Sequence, residues 1–374
     1  MKSLVLLLIP LFLMSSCKQQ QEELTDEKPI IYLGADLSYV NEVEDCGATY
    51  RIQGNLIDPY ALFKQKGCNL VRLRLWHTPE ASPYADLRDV ARAIARAKKQ
   101  HMHVLLDFHY SDTWADPEKQ YIPKAWKDIS DVNILGDSLY QYTYQTLTYL
   151  HAQNLLPEMV QIGNETNSEI LQPYGTHKEE IDWARMVFLL NQGLKAVSDF
   201  NKKHQIKVET MLHIAQPENA LTWFEQAHQN GIADYDWIGI SYYPLWSEYK
   251  FDTLPDAIKT LVDTYQKRFM IVETAYPYSL ENFDQAGNIL GEKSLIPGYE
   301  PTPEGQRKYM MDLTKICLVA GGLGVIYWEP AWVSSSCKTL WGTGSHWENA
   351  TFFDAENQNE ALPVFDFFER NLSN

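Results

Sequence analysis

The sequence has little positive charge, no phosphate-binding loop and no long apolar run after its first residues. Its 374 residues carry 32 Lys and Arg against 49 Asp and Glu, a formal net charge of −17. A nucleic-acid binder needs a basic stripe and none is present, so nucleic acid is excluded as a partner. The first predicted strand ends in Gly34-Ala35-Asp36, which lacks the dinucleotide-binding pattern and disfavours an open doubly wound sheet.

Cysteine is scarce as well. The five cysteines include no C-x-x-C pair and no spacing typical of a metal site. Cys17 ends the N-terminal segment, and the others are Cys46, Cys68, Cys317 and Cys337. Outside the cytosol these four can form disulfides, and their spacing alone leaves all three pairings open.

Aromatic residues are abundant by contrast, with 11 Trp and 22 Tyr in an aromatic fraction of 13%. The hydrophobic fraction of 45% and the charged fraction of 22% are typical of a globular protein and exclude disorder, collagen and coiled coil. Many tryptophans in an acidic chain suit sugar binding, although most aromatic residues are expected in the core. The length favours roughly two to three domains, but a single barrel of alternating strands and helices also often exceeds about 250 residues.

The first residues predict export. A short positive start, Met1–Ser3, precedes an apolar run, Leu4–Met14, that is too short to span a bilayer. The Leu-Met-Ser-Ser-Cys sequence ending at Cys17 resembles a bacterial lipobox, which implies cleavage before Cys17 and lipid attachment to its sulfur. The alternative is an ordinary signal peptide with a chance cysteine.

These features divide the chain into a lipoprotein signal peptide (1–16), a flexible polar tether (17–29) and one large domain (30–372). We expect an exported, membrane-anchored lipoprotein at the bacterial outer membrane or the cell surface, and a monomer.

Strands and helices alternate along the large domain. Eight short β-rich runs recur: Ile31–Asp36, Leu70–Leu75, His103–Phe108, Met159–Gly163, Ile206–Leu212, Trp237–Ser241, Phe269–Glu273 and Gly324–Trp328. Stretches with apolar residues at helical spacing lie between them: Leu87–Gln100, Leu139–Gln153, Trp183–His204, Asp256–Gln266 and Pro303–Ala320. Asp58-Pro59 and Thr302-Pro303 are typical helix starts. The pattern predicts an α/β fold, a single closed (β/α)8 TIM barrel.

Two glutamates at predicted strand ends carry the strongest chemical signal. Glu165 follows the fourth strand and Glu273 ends the seventh, so they would face each other at the barrel mouth, where such folds place their chemistry. Two carboxyl groups flanking a glycosidic bond can hydrolyse it, one as a protonated acid and the other as an ionised nucleophile. A guanidinium such as Arg74 would keep Glu273 charged, and Asn164 could donate to a sugar 2-hydroxyl. The alternative for a lone strand-end glutamate is a structural salt bridge.

Five segments resemble glycoside hydrolase family 53, the arabinogalactan endo-β-1,4-galactanases: Gly34–Ser38, Val71–Trp76, Asp107–Pro117, Gln161–Glu165 and Tyr327–Trp332. The resemblance covers nearly the whole mature chain, and the segment after the third strand is its most diagnostic part. It implies an enzyme that cleaves β-1,4-galactan with retention and without a cofactor in catalysis. Glu165 is then the acid/base and Glu273 the nucleophile, with their carboxyl groups about 5–5.5 Å apart.

Further residues receive roles from their positions at the barrel mouth, and for His109, Tyr242 and Trp328 the resemblance implies the same roles. Arg74 orients the nucleophile, the alternative being an internal ion pair with Asp36 or Asp107. His109 and Tyr242 contact the sugar next to the cleaved bond and the nucleophile, unless they are only structural. The remaining substrate-binding candidates are His213, Asp112 for sugar hydroxyls, Trp328 as the platform under that sugar, and Trp114 and Trp341 for outer sugars, ahead of Trp246, Trp332 and Trp347.

Some bacterial members of this family hold calcium in the loop after the seventh strand. In this sequence the loop offers Asp284 and Asn288 as oxygen ligands, but without a clear alternation of ligands, so a calcium ion here would be structural. Because the first and eighth strands are neighbours in a closed barrel, a Cys46–Cys337 bridge is expected. Cys68 and Cys317 are expected to be buried beside helices.

Two other readings stay open. A related retaining enzyme of the same barrel clan would cut mannan, xylan or β-glucan. A lipoprotein of the same fold would bind a glycan without cutting it, although a pure binder has no need of both glutamates.

Overall fold

The computed structural model describes residues 29–178, 180–339 and 341–369. The predicted signal peptide (1–16), Cys17 and all but the last residue of the predicted tether (17–29) lie outside these described residues. From Ile31 onward the chain forms one compact unit. No helix in the described ranges is both long and apolar enough to span a bilayer.

Eight parallel strands close into a barrel. They are β1 Tyr32–Asp36, β2 Leu70–Leu75, β3 His103–Phe108, β4 Met159–Ile162, β5 Glu209–Ala215, β6 Trp237–Ser241, β7 Arg268–Glu273 and β8 Gly324–Tyr327. Neighbours in sequence are neighbours in the barrel, and β1 closes it by pairing with both β2 and β8. The predicted (β/α)8 barrel is therefore confirmed.

Helices connect successive strands. They are α1 Val40–Asp45, α2 Pro59–Gln65, α3 Leu87–Lys99, α4 Val132–Ala152, α5 Trp183–His204, α6 Pro217–Gln229, α7 Leu254–Tyr265 and α8 Pro303–Val319, with α1 and α2 both between β1 and β2. Five of them begin at a side chain that accepts a hydrogen bond from the first turn: Asp58, Asp86, Asp131, Asp182 and Thr302. Such caps satisfy backbone N–H groups that the helix leaves free.

Three elements depart most from the sequence prediction. The cap at Asp131 starts α4 at Val132, about two turns before the apolar pattern becomes regular at Leu139. The fifth strand pairs only from Glu209, because α5 ends with its C-cap Gln205 in the left-handed conformation and the next three residues lie outside the barrel ladder. Helix α6 was not singled out in the sequence at all.

The barrel interior has an apolar floor and a polar upper layer. The floor is built by inward-facing side chains, most of them in the first half of their strands: Tyr32, Leu70, Leu105, Met159, Met211, Trp237, Met270, Val272 and Ile326. Because strand side chains alternate, the residues two positions further along also face inward. On four neighbouring strands these are the buried polar residues Arg72, Asp107, Gln161 and His213. This polar layer lies directly below the mouth of the barrel, where the two glutamates lie.

A disulfide joins two loops of the barrel mouth. Cys46 and Cys337 are bonded, with their Cα atoms 5.4 Å apart, which is the expected pairing between the segments that follow β1 and β8. Cys68 and Cys317 are free and buried, also as expected.

Candidate active site

Glu165 emerges from the end of β4 through a tight turn. Gly163 has φ +90°, and a Cβ atom there would lie 2.5 Å from Thr166 Cγ2, so only glycine fits. Glu165 itself has φ 43°, a left-handed conformation that costs a non-glycine residue about 1–3 kcal/mol. Its backbone is held by contacts on both sides, because its N–H donates to His213 Nδ1 at 3.3 Å and its carbonyl accepts from Gln120 Nε2 at 3.1 Å.

A β-bulge turns Glu273 into the barrel. Ile240 of β6 pairs with Ile271, but the next residue, Ser241, pairs with Glu273. Val272 is therefore an extra residue on β7, and its side chain already faces the barrel interior. In a regular strand the following side chain would point outward. The bulge reverses that alternation and aims the Glu273 carboxyl group at the mouth of the barrel.

The two carboxyl groups meet at this point. Oxygen atoms of Glu165 and Glu273 and a ring nitrogen of His213 all lie within 4.8 Å of one another. Carboxyl groups of retaining glycosidases lie about 5–5.5 Å apart, whereas inverting enzymes need about 6.5–9.5 Å to admit a water molecule. The separation in this structure fits direct attack by one carboxylate on the sugar.

Arg72 holds Glu273 by a short ion pair. Its Nη1 lies 2.7 Å from Glu273 Oε1 and 2.9 Å from Asp36 Oδ2, and its Nη2 lies 2.8 Å from Asp107 Oδ2. The remaining donor directions are filled by the side-chain oxygens of Gln161 and Asn164, each at 2.7 Å. All of these side chains are buried, so the guanidinium is fixed in position and its charge is little screened by water.

The expected contact of Arg74 with the nucleophile is wrong, as is its alternative ion pair with Asp36 or Asp107. Arg74 Nη1 instead lies 3.2 Å from Glu329 Oε1, and its guanidinium stacks over the Trp114 ring at 4.3 Å. Both arginines of β2 face inward because they are two residues apart. Arg72 lies one layer deeper, and that deeper layer is where the acidic side chains from the other strands converge.

Glu165 contacts a hydroxyl group instead of a cation. Ser241 Oγ donates to Glu165 Oε1 at 2.5 Å, and His213 Nε2 donates to Ser241 Oγ at 2.9 Å. Gln161 Nε2 donates to His213 Nδ1 at 3.0 Å, which assigns the ring proton to Nε2. Burial and the nearby Arg72 hold the pKa of His213 well below its usual range, so the ring is neutral.

These surroundings separate the pKa values of the two glutamates. Burial raises the pKa of Glu165 well above its usual range, and the Glu273 charge raises it further. Burial also raises the pKa of Glu273, but the Arg72 guanidinium acts in the opposite direction and is the strongest opposing influence. Glu165 therefore keeps a proton at a pH at which Glu273 has lost its own.

One histidine and two glutamates in a cluster also resemble a metal site in composition. The residues do not fit that role. His213 Nδ1 accepts hydrogen bonds, and its Nε2 carries the proton that Ser241 accepts, so neither nitrogen offers a lone pair. One oxygen of Glu273 is already paired with Arg72. Cleavage by two carboxyl groups needs no metal.

The suggested calcium ligands lie beside the loop that follows β8. Asp284 accepts the backbone N–H groups of Ala286 and Ser345, each at 2.7 Å, through its two carboxylate oxygens. Asn288 donates to the carbonyl of Glu281 at 3.0 Å. Calcium at Asp284 and Asn288 stays a prediction.

The tyrosine that reaches the nucleophile is one residue later than expected. Tyr243 donates to Glu273 Oε2 at 3.4 Å, whereas Tyr242 points away from the barrel axis and donates to the carbonyl of Tyr249 at 3.1 Å. Ser241 faces inward, so strand alternation puts Tyr242 outside and Tyr243 inside. That alternation was a usable signal in the sequence.

His109 and Asp112 lie outside the lining of the catalytic cleft. His109 is buried, with Nε2 3.1 Å from Asp107 Oδ2, and its Nδ1 accepts from Trp76 Nε1 and from the Ala115 N–H. Its expected contact with sugar and nucleophile is therefore replaced by a structural role under the loop that carries Trp114. Asp112 accepts the backbone N–H groups of Thr78 and Lys124 and lines a neighbouring groove.

A cleft of about 530 Å³ opens above the two carboxyl groups and Asn164. Every tryptophan suggested from the sequence lines it: Trp114, Trp246, Trp328, Trp332, Trp341 and Trp347. Aromatic faces stack on the C–H faces of sugars. The cleft is therefore built for a polar, ring-shaped ligand.

Sequence reasoning missed Arg72, Ser241 and Tyr243 in this site. Tyr243 follows from the two-residue period of its strand, whereas Arg72 and Arg74 share the same period and are not told apart by it. The contact of Ser241 with Glu165 has no comparable signal, because it depends on how two distant strands are placed across the barrel.

Comparisons with known proteins agree with this geometry. The model of glycosyl hydrolase family 53 matches residues 32–368. An arabinogalactan endo-β-1,4-galactanase of Cellvibrio japonicus is 59% identical over 339 residues, covering 90% of each chain. An endo-β-1,4-galactanase of Bacillus subtilis is 36% identical, covering 87% of this chain and 78% of its own. Among solved structures, a family 53 catalytic domain of Ignisphaera aggregans superposes with a TM-score of 0.82 at 32% identity, covering 92% and 97% of the two chains.

Proposed function

The chain belongs to glycosyl hydrolase family 53, and on that premise we propose that it is an endo-β-1,4-galactanase that cleaves galactan with retention. The single observation that carries the proposal is the pair of carboxyl groups within 4.8 Å, one beside Arg72 and the other beside a hydroxyl. The choice of galactan is supported by the name of the relative with 59% identity.

The first chemical step is attack by Glu273. Its carboxylate, held ionised by Arg72, bonds to the anomeric carbon of the sugar while Glu165 gives its proton to the leaving glycosidic oxygen. The products are a glycosyl ester on Glu273 and a shortened chain with a free 4-hydroxyl. Tyr243 also donates to the Glu273 carboxyl group and helps to fix the direction of attack.

In the second step Glu165 acts as a base, and the bond between the sugar and Glu273 is broken. Glu165, now ionised, takes a proton from water, and the resulting hydroxide attacks the same anomeric carbon and releases Glu273. Two inversions at one carbon give net retention. The Ser241 hydroxyl donates to Glu165 in this charged state, so it stabilises the form that acts as the base.

The proposal is tested by reducing-end release and product length on linear β-1,4-galactan, beside mannan, xylan and β-glucan. We expect the wild-type enzyme to release short galacto-oligosaccharides, and Glu165→Gln and Glu273→Gln to release almost none. Cleavage of one of the other glycans alone would make the chain a different retaining endo-glycanase. Binding of galactan without any cleavage would make it a glycan-binding protein.

We also propose that the mature enzyme is a monomer anchored to a bacterial membrane through lipid on Cys17. The Leu-Met-Ser-Ser-Cys sequence supports this, and a Cys46–Cys337 disulfide suits an oxidising compartment outside the cytosol. We expect the native protein to partition into a detergent phase. The Cys17→Ala variant should no longer do so. A mature protein without lipid in the soluble fraction would contradict the anchor, and sedimentation velocity tests the monomer.

A further inference from the structure

A second cavity adjoins the catalytic cleft. Its volume is about 700 Å³, and we call it the outer groove. Loops that follow four different strands build it, with Glu80 after β2, Tyr121 and Lys124 after β3, Tyr174 after β4 and Trp341 after β8. Nothing in the two-carboxylate mechanism uses this groove.

The outer groove and the cleft share a wall. Trp114, Lys119 and Trp341 line both of them. The Trp114 and Trp341 rings lie 6.1 Å apart, and Lys119 Nζ lies 5.8 Å from the centre of the Trp341 ring. A chain that lies across Trp341 can therefore contact both the cleft and the outer groove.

Exposed aromatic rings line the outer groove. Tyr174 is 81% exposed and Trp341 is 46% exposed, although large rings usually gain stability by burial. The Tyr121 and Tyr174 rings lie 4.8 Å apart. Backbone hydrogen bonds hold the two segments together, because the Ile122 N–H donates to the Gln172 carbonyl at 2.7 Å. These contacts bring the two rings side by side at the surface.

The charge of the outer groove is close to balanced. Its lining has three lysines, Lys119, Lys124 and Lys127, and two acidic residues, Glu80 and Asp112. Lys124 pairs with Glu80 at 2.6 Å, and Asp112 accepts backbone N–H groups. In a protein of net charge −17, such a surface suits an uncharged ligand better than a polyanion or a polycation.

We propose that the outer groove binds additional sugar units of the same neutral polysaccharide chain whose bond is cleaved in the cleft, with Tyr174, Tyr121 and Trp341 as the stacking platform. The proposal rests on the proposed function. It makes the enzyme selective for long chains, because a short substrate fills the cleft alone and gains nothing from the outer groove.

The test is Tyr174→Ala, which removes an exposed ring without disturbing the core. We expect kcat/KM on long β-1,4-galactan to fall about threefold to tenfold, as for loss of one aromatic contact. Hydrolysis of an activated aryl β-galactobioside should be unchanged, because that substrate is too short to reach the groove. Tyr174→Phe keeps the ring and should retain the activity on galactan. Tyr149→Ala removes a surface tyrosine of helix α4 that is 42% exposed and does not line the outer groove, so it is the control and should change neither rate.

Three results would overturn the proposal. If Tyr174→Ala and Tyr149→Ala had the same kinetics on both substrates, the outer groove would not bind sugar. The proposed galactanase function would still stand. Equal losses on the long and the short substrate would indicate a structural effect instead of a distal site. A wild-type enzyme that cleaves no galactan would overturn the proposed function together with this one.

Discussion

The two sides of the catalytic cleft present the same side chain in opposite surroundings. On the β4 side, Glu165 sits on a strained turn and receives a hydrogen bond from neutral Ser241. On the β7 side, Glu273 sits on a bulge and is paired at 2.7 Å with Arg72. Both groups are removed from water, which raises both pKa values, but only Glu273 has a cation in contact.

This difference shows how one residue type can perform two roles. A carboxyl group that is buried without a cation keeps its proton and can act as an acid, whereas a buried carboxylate beside a guanidinium stays charged and can act as a nucleophile. The roles of acid and nucleophile therefore depend on the neighbouring side chains. Substitution of those neighbours should shift the pKa values of the two glutamates in a predictable direction.

The largest effects should come from the two carboxyl groups themselves, and they should differ in kind. Glu273→Gln should lower kcat about 10⁴-fold or more on every substrate, because no bond to the sugar can form. Glu165→Gln should lower kcat on galactan about 10²–10⁴-fold, the usual contribution of general acid catalysis. When the leaving group of an aryl galactobioside is a very acidic phenol, it departs without being protonated. The Glu165 variant should therefore still release that phenol in a rapid burst. Equal loss of the burst in both variants would show that the roles do not differ.

The next largest effect should come from the arginine that distinguishes the two sides. Arg72→Lys cannot make all the contacts of the guanidinium, so the pKa of Glu273 should rise. Activity requires ionised Glu273, so the acid limb of the kcat/KM profile should move to higher pH, by about one unit or more. Arg74→Lys is the matched control, since Arg74 pairs with Glu329 and not with Glu273. An acid limb that moves only in the Arg74 variant would reverse the assignment.

A smaller effect is expected on the Glu165 side. The Ser241 hydroxyl stabilises charged Glu165 and lowers its pKa, so Ser241→Ala should raise that pKa. Because the first step needs protonated Glu165, activity is lost as pH rises through this pKa, and the alkaline limb should move to higher pH. We expect kcat to fall about fivefold to tenfold, as for loss of one hydrogen bond. An unchanged alkaline limb, or one displaced to lower pH, would contradict the contact.

The smallest effect should come from the tyrosine pair that follows β6. Tyr243→Phe removes one long hydrogen bond to Glu273 and should lower kcat/KM about twofold to fivefold. Tyr242→Phe removes a hydroxyl that contacts only the Tyr249 carbonyl, so its kinetics should match those of the wild type while its stability falls slightly. If the Tyr242 variant were the slower enzyme, the inward position of Tyr243 would not matter for catalysis.

Much of the fold and of the site was predictable from sequence, because both depend on local patterns. The alternation of β-rich runs with helical stretches predicted the barrel, and polar residues at strand ends located its mouth. The Cys46–Cys337 bridge followed from the closure of the barrel between β1 and β8.

The remainder depends on tertiary detail that no local pattern carries. The inward direction of Glu273 comes from a bulge between β6 and β7, which a plain alternation of side chains would have missed. Arg72 and Arg74 are equivalent in the period of β2, and only the acidic groups of other strands decide which one meets the nucleophile. The sequence predicts that His109 contacts the substrate, but Asp107 of β3 and the Ala115 N–H occupy its two ring nitrogens.

The most direct test of the central claim is to trap the sugar on the enzyme. An activated 2-deoxy-2-fluoro-β-galactobioside should react once and leave a stable ester, because the fluorine slows both steps and the activated leaving group restores the rate of only the first. Peptide mass spectrometry should then locate the disaccharide on Glu273 and on no other residue. A label on Glu165, or product formation with inverted stereochemistry and no label at all, would contradict the roles that the two sides of the cleft define.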